Sequence, residues 1–204
     1  RGELEAFYRS VTDAYIERAE ALVRWGMVRD RSIRALSFPF GDFRPGQRRM
    51  AAEVYRTARD GGRLMLEAPT GVGKTMAAVY PAVQVIGEGH AARFFFLAAR
   101  TTGKAAAQDA MVVLSGAGLR MKSIVITAKE RVCPHPDSAC TPDECPCASG
   151  YYDRLDDGLA DTFERDILTR EAVEDIAYSH TLCPFELSLD AAIHRECIIA
   201  DYNY

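Results

Sequence analysis

The stretch Ala68-Pro69-Thr70-Gly71-Val72-Gly73-Lys74-Thr75 decides how the rest of the chain is interpreted. It follows a short apolar run at 64–66 and leads into an apolar stretch of helical character. The two glycines allow a tight turn in which successive backbone N–H groups can face the phosphates of a nucleotide. The lysine brings a positive charge to the β and γ phosphates, and the threonine hydroxyl is suited to hold Mg²⁺. The order strand, loop, helix therefore predicts a loop that binds a nucleoside triphosphate, rather than a glycine-rich turn before a core helix.

Composition limits the class of protein. The 204 residues are 48% apolar and 26% charged, which is typical of a globular domain or of one domain with an insertion. No apolar run is long enough to cross a bilayer and no secretory signal opens the chain. We therefore expect a cytoplasmic protein without a membrane partner. We also expect a monomer. The first residue is Arg1 rather than Met, so we expect either an expressed fragment or part of a longer chain.

Charge is spread unevenly along the chain. The formal net charge of −4 argues against a surface covered with phosphate-binding residues. Residues 29–49 nevertheless hold six arginines and two aspartates, whereas residues 153–175 hold nine acidic residues and three arginines. The basic stretch could contact phosphates or could be a solvated face.

Apolar runs alternate with helical patterns through most of the sequence. A first amphipathic helix is predicted over 3–24, and a second runs from Pro45 to about Asp60 before Gly61. Apolar strands are predicted at 63–67, 93–98, 122–127 and 197–200, with helices between them to about 86 and over 102–114. Near-continuous apolar strands alternating with helices predict an α/β fold with a parallel sheet flanked by helices.

Residues 129–194 interrupt this alternation and contain most of the cysteines. Cys133, Cys140 and Cys145 lie in a proline-rich loop, and Cys183 follows at a predicted helix start before Pro184. Four thiolates can hold tetrahedral Zn²⁺ or a [4Fe–4S] cluster, and the absence of Cys-x₂-Cys pairs favours the cluster. Other choices remain open: Cys147 in place of Cys145, a mixed zinc site with His135 or His180, and free thiols. Cys197 lies on an apolar strand and is interpreted as a core residue.

Together these segments resemble the iron–sulfur superfamily 2 DNA helicases of the XPD/DinG type, from about Phe43 to Tyr204. Phe43-Arg44-Pro45-Gly46-Gln47 is similar to the motif ahead of the phosphate loop, and residues 68–75 are similar to motif I. Ala99-Arg100-Thr101-Thr102 resembles motif Ia, and Thr127-Ala128-Lys129-Glu130 resembles the entry to the cluster domain. Cys183-Pro184-Phe185 is similar to the end of that domain, and Asp201 stands where motif II begins.

The resemblance implies a RecA-like domain with a small, mostly helical iron–sulfur insertion. It implies an N-terminal helical segment at 1–42, the first part of the helicase domain at 43–128, the cluster domain at 129–194 and the motif II strand at 195–204. The implied enzyme is an ATP-dependent DNA helicase that moves 5′ to 3′ on single-stranded DNA and acts at junctions of duplex and single strand. The implied site residues are Gln47, Thr70, Gly71, Val72, Gly73, Lys74 and Thr75 for ATP, Thr75 and Asp201 for Mg²⁺, Lys74, Thr75 and Asp201 for catalysis, Cys133, Cys140, Cys145 and Cys183 for the [4Fe–4S] cluster, and Arg100, Thr101 and Lys104 for DNA.

Two departures from the family pattern affect these expectations. Motif II reads Asp201-Tyr202-Asn203-Tyr204, so Tyr202 stands where a glutamate usually orients the attacking water. The variant could retain hydrolysis with another acidic residue, such as Glu67, or the protein could be an impaired scaffold that binds ATP and DNA around a zinc or iron–sulfur site. The second RecA-like domain, which the resemblance implies is needed for hydrolysis and unwinding, is absent from these residues, so they alone are expected not to unwind DNA.

A non-helicase nucleotide enzyme with a structural zinc is the remaining class. It is disfavoured because the sequence holds neither an arginine-rich lid close to the loop nor an Asn-Lys-x-Asp base reader.

Overall fold

A computed structural model describes residues 2–202. Its four strands are β1 (Phe94–Ala98), β2 (Ser123–Val125), β3 (Ile167–Leu168) and β4 (Cys197–Asp201). All pairs are parallel and the order across the sheet is β1–β4–β2–β3. The register aligns Ala98 with Asp201 and Val125 with Ile199. The predicted α/β class with a parallel sheet is therefore confirmed.

Eight helices surround the sheet in the described part of the chain. They are α1 (Gly2–Ala35), α2 (Gln47–Asp60), α3 (Lys74–Gly87), α4 (Thr101–Gly116), α5 (Lys129–Val132), α6 (Tyr151–Phe163), α7 (Arg170–Ser179) and α8 (Pro184–Ala192). Local chemistry explains several starts. Gly46 and Gly73 adopt the left-handed conformation before α2 and α3, and the Thr169 side chain accepts a hydrogen bond from the backbone N–H of Ala172 at the start of α7.

The sheet has a separate hydrophobic core on each face. Cys197 and Ile199 of β4 pack with residues of α1, α3 and α4 on one face. Ile198 and Ala200 pack with α6, α7 and α8 on the other face. Successive side chains of a strand point to opposite faces, so β4 lies buried in the middle of the sheet.

The segment predicted as an insertion packs directly against this sheet. Residues 129–194 contribute α5 to α8, and they also contribute β3, which pairs with β2. The buried side chains of α7 and α8 share one core with Ile124 and Ile198. Cys183, at the start of α8, packs against this core and is thereby fixed relative to the strands.

Two predicted elements differ in the structure. The strand expected at 63–67 does not form, and Met65 there is 97% exposed. An apolar run becomes a strand only where a neighbouring strand accepts its backbone hydrogen bonds, and this run pairs with none of the four described strands. The first helix continues beyond 24 to Ala35, so Gly26 lies inside it. Within residues 2–202 no helix combines the length and apolar character needed to cross a membrane.

Candidate functional site

The carboxyl ends of β1 and β4 meet at one edge of the sheet. Ala98 and Asp201 are register partners there, and α4 begins immediately beyond β1 at Thr101. Parallel α/β sheets bind ligands in the crevice outside this edge. The structure thus places the candidate motif Ia and motif II residues side by side.

The segment 68–75, termed here the glycine segment, forms an irregular turn that enters α3. Gly71 and Gly73 have φ values of +84° and +82°, a region that glycine occupies without steric cost. The exposed side chain of Lys74 folds back, and its Nζ donates to the carbonyl oxygens of Ala68 at 3.0 Å and Pro69 at 2.9 Å. The lysine charge is therefore held within its own loop, at the start of a helix whose N-terminal end favours anions.

Gln47, one of the expected ATP-binding residues, faces inward and supports the glycine segment. Its side chain is 3% exposed. Its Nε2 donates to the Gly73 carbonyl at 3.1 Å, and its Oε1 accepts from the Arg44 backbone N–H at 3.0 Å. A side-chain carbon at Gly73 would overlap Gln47 Nε2. Through these hydrogen bonds Gln47, the first residue of α2, connects that helix to the loop.

Arg44 makes a contact with the loop that the sequence pattern did not predict. Its guanidinium donates to the Gly71 carbonyl at 2.6 Å from an exposed position. Arg44 and Gln47 therefore each bind the carbonyl of one glycine of the loop. The signal was present in the sequence, since Arg44 lies three residues before Gln47 in the motif that precedes the loop.

Asp201 forms an ion pair with a lysine that was expected to face DNA. Lys104 Nζ lies 2.7 Å from Asp201 Oδ2, and the Lys104 side chain is only 8% exposed. The same ammonium lies 3.5 Å from the Ile126 carbonyl. Because α4 packs its inner face on the sheet, Lys104 points to the strand ends rather than to solvent. The structure therefore differs from the expected phosphate contact at Lys104.

The other two expected DNA residues are differently placed. Arg100 and Thr101 are both exposed at the start of α4.

Tyr202, which follows Asp201, is also exposed, and its backbone N–H donates to the Ala98 carbonyl at 3.3 Å. Asn203 and Tyr204 of the motif lie outside the described residues. Within residues 2–202, neither a hydrogen bond nor an ion pair joins Lys74 or Thr75 to Asp201.

The cysteines of segment 129–194 gather around a second depression. A cavity of about 310 Å³ is lined by Cys140, Cys145, Cys147 and Cys183. Cys133 lies close enough for its charge to contribute to raising the pKa of both Cys147 and Cys183. Residues far apart in the sequence are thus collected at one place by the loop after α5 and by the start of α8.

Burial and hydrogen bonds set the chemistry of these thiols. Burial raises the pKa of Cys147 to about 11, with a further contribution from the charge of Cys145. Burial also raises the pKa of Cys183, against backbone N–H groups at the start of α8 that favour the thiolate. Lys129 Nζ lies 2.8 Å from Cys140 Sγ, a hydrogen bond that raises the lysine pKa.

The cysteines that line the cavity do not form a compact metal-binding group in the described residues. Across residues 2–202, no three His, Cys, Asp or Glu side chains are close enough together to hold one metal ion. A single Zn²⁺ needs its sulfurs about 2.3 Å from the ion. Four cysteines line the cavity of about 310 Å³, and in the described residues they do not converge on one ion. Cys197 lies outside this group, fully buried in β4 as expected.

Comparison with known proteins adds no assignment. The chain matches no protein-family model and no curated protein. What can be inferred about its function therefore rests on the residues and geometry described above.

Proposed function

We propose that the chain is the first RecA-like lobe of an ATP-dependent DNA helicase of the XPD/DinG type, with a structural [4Fe–4S] cluster. One observation carries the proposal: cysteines distant in sequence line a single cavity on a parallel sheet whose strand end presents Asp201. In this proposal the glycine segment at the start of α3 would supply the phosphate contacts. The combination is more specific than any one of these features.

In this proposal the glycine segment and Lys74 bind the phosphates of ATP. Lys74 exchanges its two carbonyl contacts for phosphate oxygens, which are stronger partners because they are charged. Thr75 and Asp201 are the residues that would hold Mg²⁺. Lys104 keeps the Asp201 carboxylate at the strand end. A second RecA-like domain completes the site by stabilising charge on the transferred phosphoryl group.

The cysteine cavity has a structural role in the same proposal. Cys133, Cys140, Cys145 and Cys183 are the residues that would hold the cluster, with Cys147 as the alternative to Cys145. A cluster there would tie the loop at 133–147 to the start of α8. Single-stranded DNA contacts the exposed start of α4 through Arg100 and Thr101, where their side chains reach phosphates without reading sequence.

The test is ATP hydrolysis by the intact protein with and without single-stranded DNA. The proposal predicts hydrolysis that DNA stimulates, that Lys74→Ala abolishes and that Arg63→Ala, a change at an exposed position just before the loop, leaves intact. Activity of the intact protein no higher than that of Lys74→Ala would contradict it.

A scaffold that binds ATP and DNA without turnover is the second candidate, and Tyr202 is the feature that favours it. A phenol is a poor general base compared with the carboxylate of a glutamate. Single-turnover hydrolysis separates the two candidates, because a scaffold retains bound ATP unchanged whereas a helicase releases phosphate.

A further inference from the structure

A large cavity lies at the opposite edge of the sheet from Asp201, where the strands begin. Its volume is about 610 Å³, within the range of roughly 300–1,000 Å³ typical of small-molecule sites. Helix α1 forms one wall through Leu22 and Trp25. The other wall is formed by residues that precede the strands, including Arg93 before β1 and Lys122 before β2.

The side chains that line this cavity carry a surplus of positive charge. Five of them are cationic and one, Glu196, is acidic. The Glu196 carboxylate is already occupied by the wall: it accepts from Trp25 Nε1 at 2.7 Å, from Arg29 at 3.3 Å and from the Lys122 backbone N–H at 2.8 Å. The other cationic side chains of the lining therefore have no second carboxylate in the lining to balance their charge.

Two of the cations are buried in its floor. Lys122 is 6% exposed, and its ammonium lies 4.3 Å from the Trp25 ring centroid and 3.8 Å from Asp166. Arg195 is 2% exposed and donates to the carbonyls of Thr162 at 2.5 Å and Arg165 at 2.7 Å, while its Nε has no partner. Burial lowers the pKa of Lys122, and it lowers that of Arg195 to about 10. An anion nearby would offset the cost of burying these charges.

Two further arginines stand at the rim. Arg18 lies 5.7 Å from the Phe163 ring centroid and 3.4 Å from His194 Nε2, and Arg93 donates to the Ile193 carbonyl at 3.0 Å. Within residues 2–202 neither arginine pairs with a carboxylate. The rim thus offers two guanidinium groups, whose planar donors suit phosphate oxygens.

We propose that this cavity binds a nucleoside phosphate, with the base against the apolar wall of Leu22 and Ile193 and the phosphate between Arg18 and Arg93. The buried cations beneath favour an anionic ligand, and the aromatic and apolar lining favours a flat ring. The ligand is either a free mononucleotide or the phosphorylated end of a single strand. The site is separate from the glycine segment, and it stands whether or not that segment binds ATP.

The test uses Trp25, the single tryptophan of the chain and a residue of the cavity wall. The 204-residue protein is titrated with thymidine monophosphate, with a 5′-phosphorylated tetrathymidylate and with thymidine. Binding is followed by tryptophan fluorescence and by calorimetry. We expect saturable binding of a phosphorylated ligand and at least tenfold weaker binding of thymidine. The mononucleotide binding more tightly identifies the free nucleotide, and the oligonucleotide binding more tightly identifies a strand end.

Three variants complete the design. Arg18→Gln with Arg93→Gln should weaken binding at least tenfold, and both positions are exposed, so the fold is expected to persist by circular dichroism. Arg9→Gln on the same helix lies away from the cavity and should bind normally. Lys74→Ala should also bind normally, which separates this site from the glycine segment. Equal binding of thymidine and its phosphate, no saturable binding, or unchanged binding in the double variant would overturn the proposal.

Discussion

Replacing Gly73 by alanine tests the coupling between Gln47 and the glycine segment. Both Gly71 and Gly73 have positive φ, so alanine at either position has the cost of the left-handed conformation. Only at Gly73 does the added methyl group meet a neighbour, because a Cβ there overlaps Gln47 Nε2, whereas a Cβ at Gly71 meets nothing within 4 Å. Gly71→Ala is therefore a matched control.

The magnitudes follow from the contacts. Left-handed alanine costs about 1–2 kcal/mol, partly offset by the lower entropy of the unfolded chain, which leaves about 1 kcal/mol for Gly71→Ala. In Gly73→Ala the methyl group also displaces Gln47, which loses its hydrogen bonds to the Gly73 carbonyl and to the Arg44 N–H. At about 1 kcal/mol each, they bring the total to about 3 kcal/mol.

Equilibrium urea unfolding of the 204-residue protein, followed by circular dichroism, measures both changes. Adding Gln47→Ala removes the obstacle, so Gly73→Ala should cost only about 1 kcal/mol in that background. Equal destabilisation by Gly71→Ala and Gly73→Ala would contradict a clash between the added methyl group and Gln47. So would a loss of unfolding free energy in Gly73→Ala that is the same with and without the Gln47 side chain.

Two further predictions concern charged groups. Lys104→Met leaves the Asp201 carboxylate without its partner and should lower the free energy of unfolding by about 1–3 kcal/mol. Arg100→Met, at the exposed start of α4, is the control and should change the free energy of unfolding by about 0.5 kcal/mol or less. Equal effects of the two variants in urea unfolding would contradict the ion pair. Burial lowers the pKa of His194, and the positive charges of Arg18, Arg195 and Arg93 lower it further, whereas Asp190 raises it. Just below the ordinary histidine pKa of about 6.5, the folded state therefore binds fewer protons than the unfolded state. Stability should therefore fall as pH drops through this window, by less in His194→Gln than in the wild type, and parallel pH profiles would contradict this.

The sequence predicted the elements whose signals are local. Residues 197–200 are a continuous apolar run, and they lie in the buried strand β4 as expected. The helix from Gln47 to Asp60 begins after Pro45 and ends at Gly61, as its start and stop signals indicate. By contrast, Leu64–Leu66 has the same apolar character and stays exposed, because strand formation depends on a partner that composition does not reveal.

Side-chain direction was the harder part of the site. Lys104 was expected to face DNA because it follows a strand end, yet the helical repeat turns it toward Asp201, a residue distant in sequence. Gln47 was expected to face a ligand and instead fills the space beside Gly73. The cavity around Trp25 and Glu196 has no signal in the sequence, since its walls come from α1 and three strand starts that only the fold brings together.

The metal content of anaerobically purified protein is the sharpest test of the proposed [4Fe–4S] cluster. We expect a brown protein that contains iron and acid-labile sulfide in equal amounts, lost in Cys140→Ser and Cys183→Ser and retained in Cys197→Ala, whose thiol lies in the opposite core. A colourless protein with stoichiometric zinc, or iron that survives the loss of both cavity thiols, would contradict it.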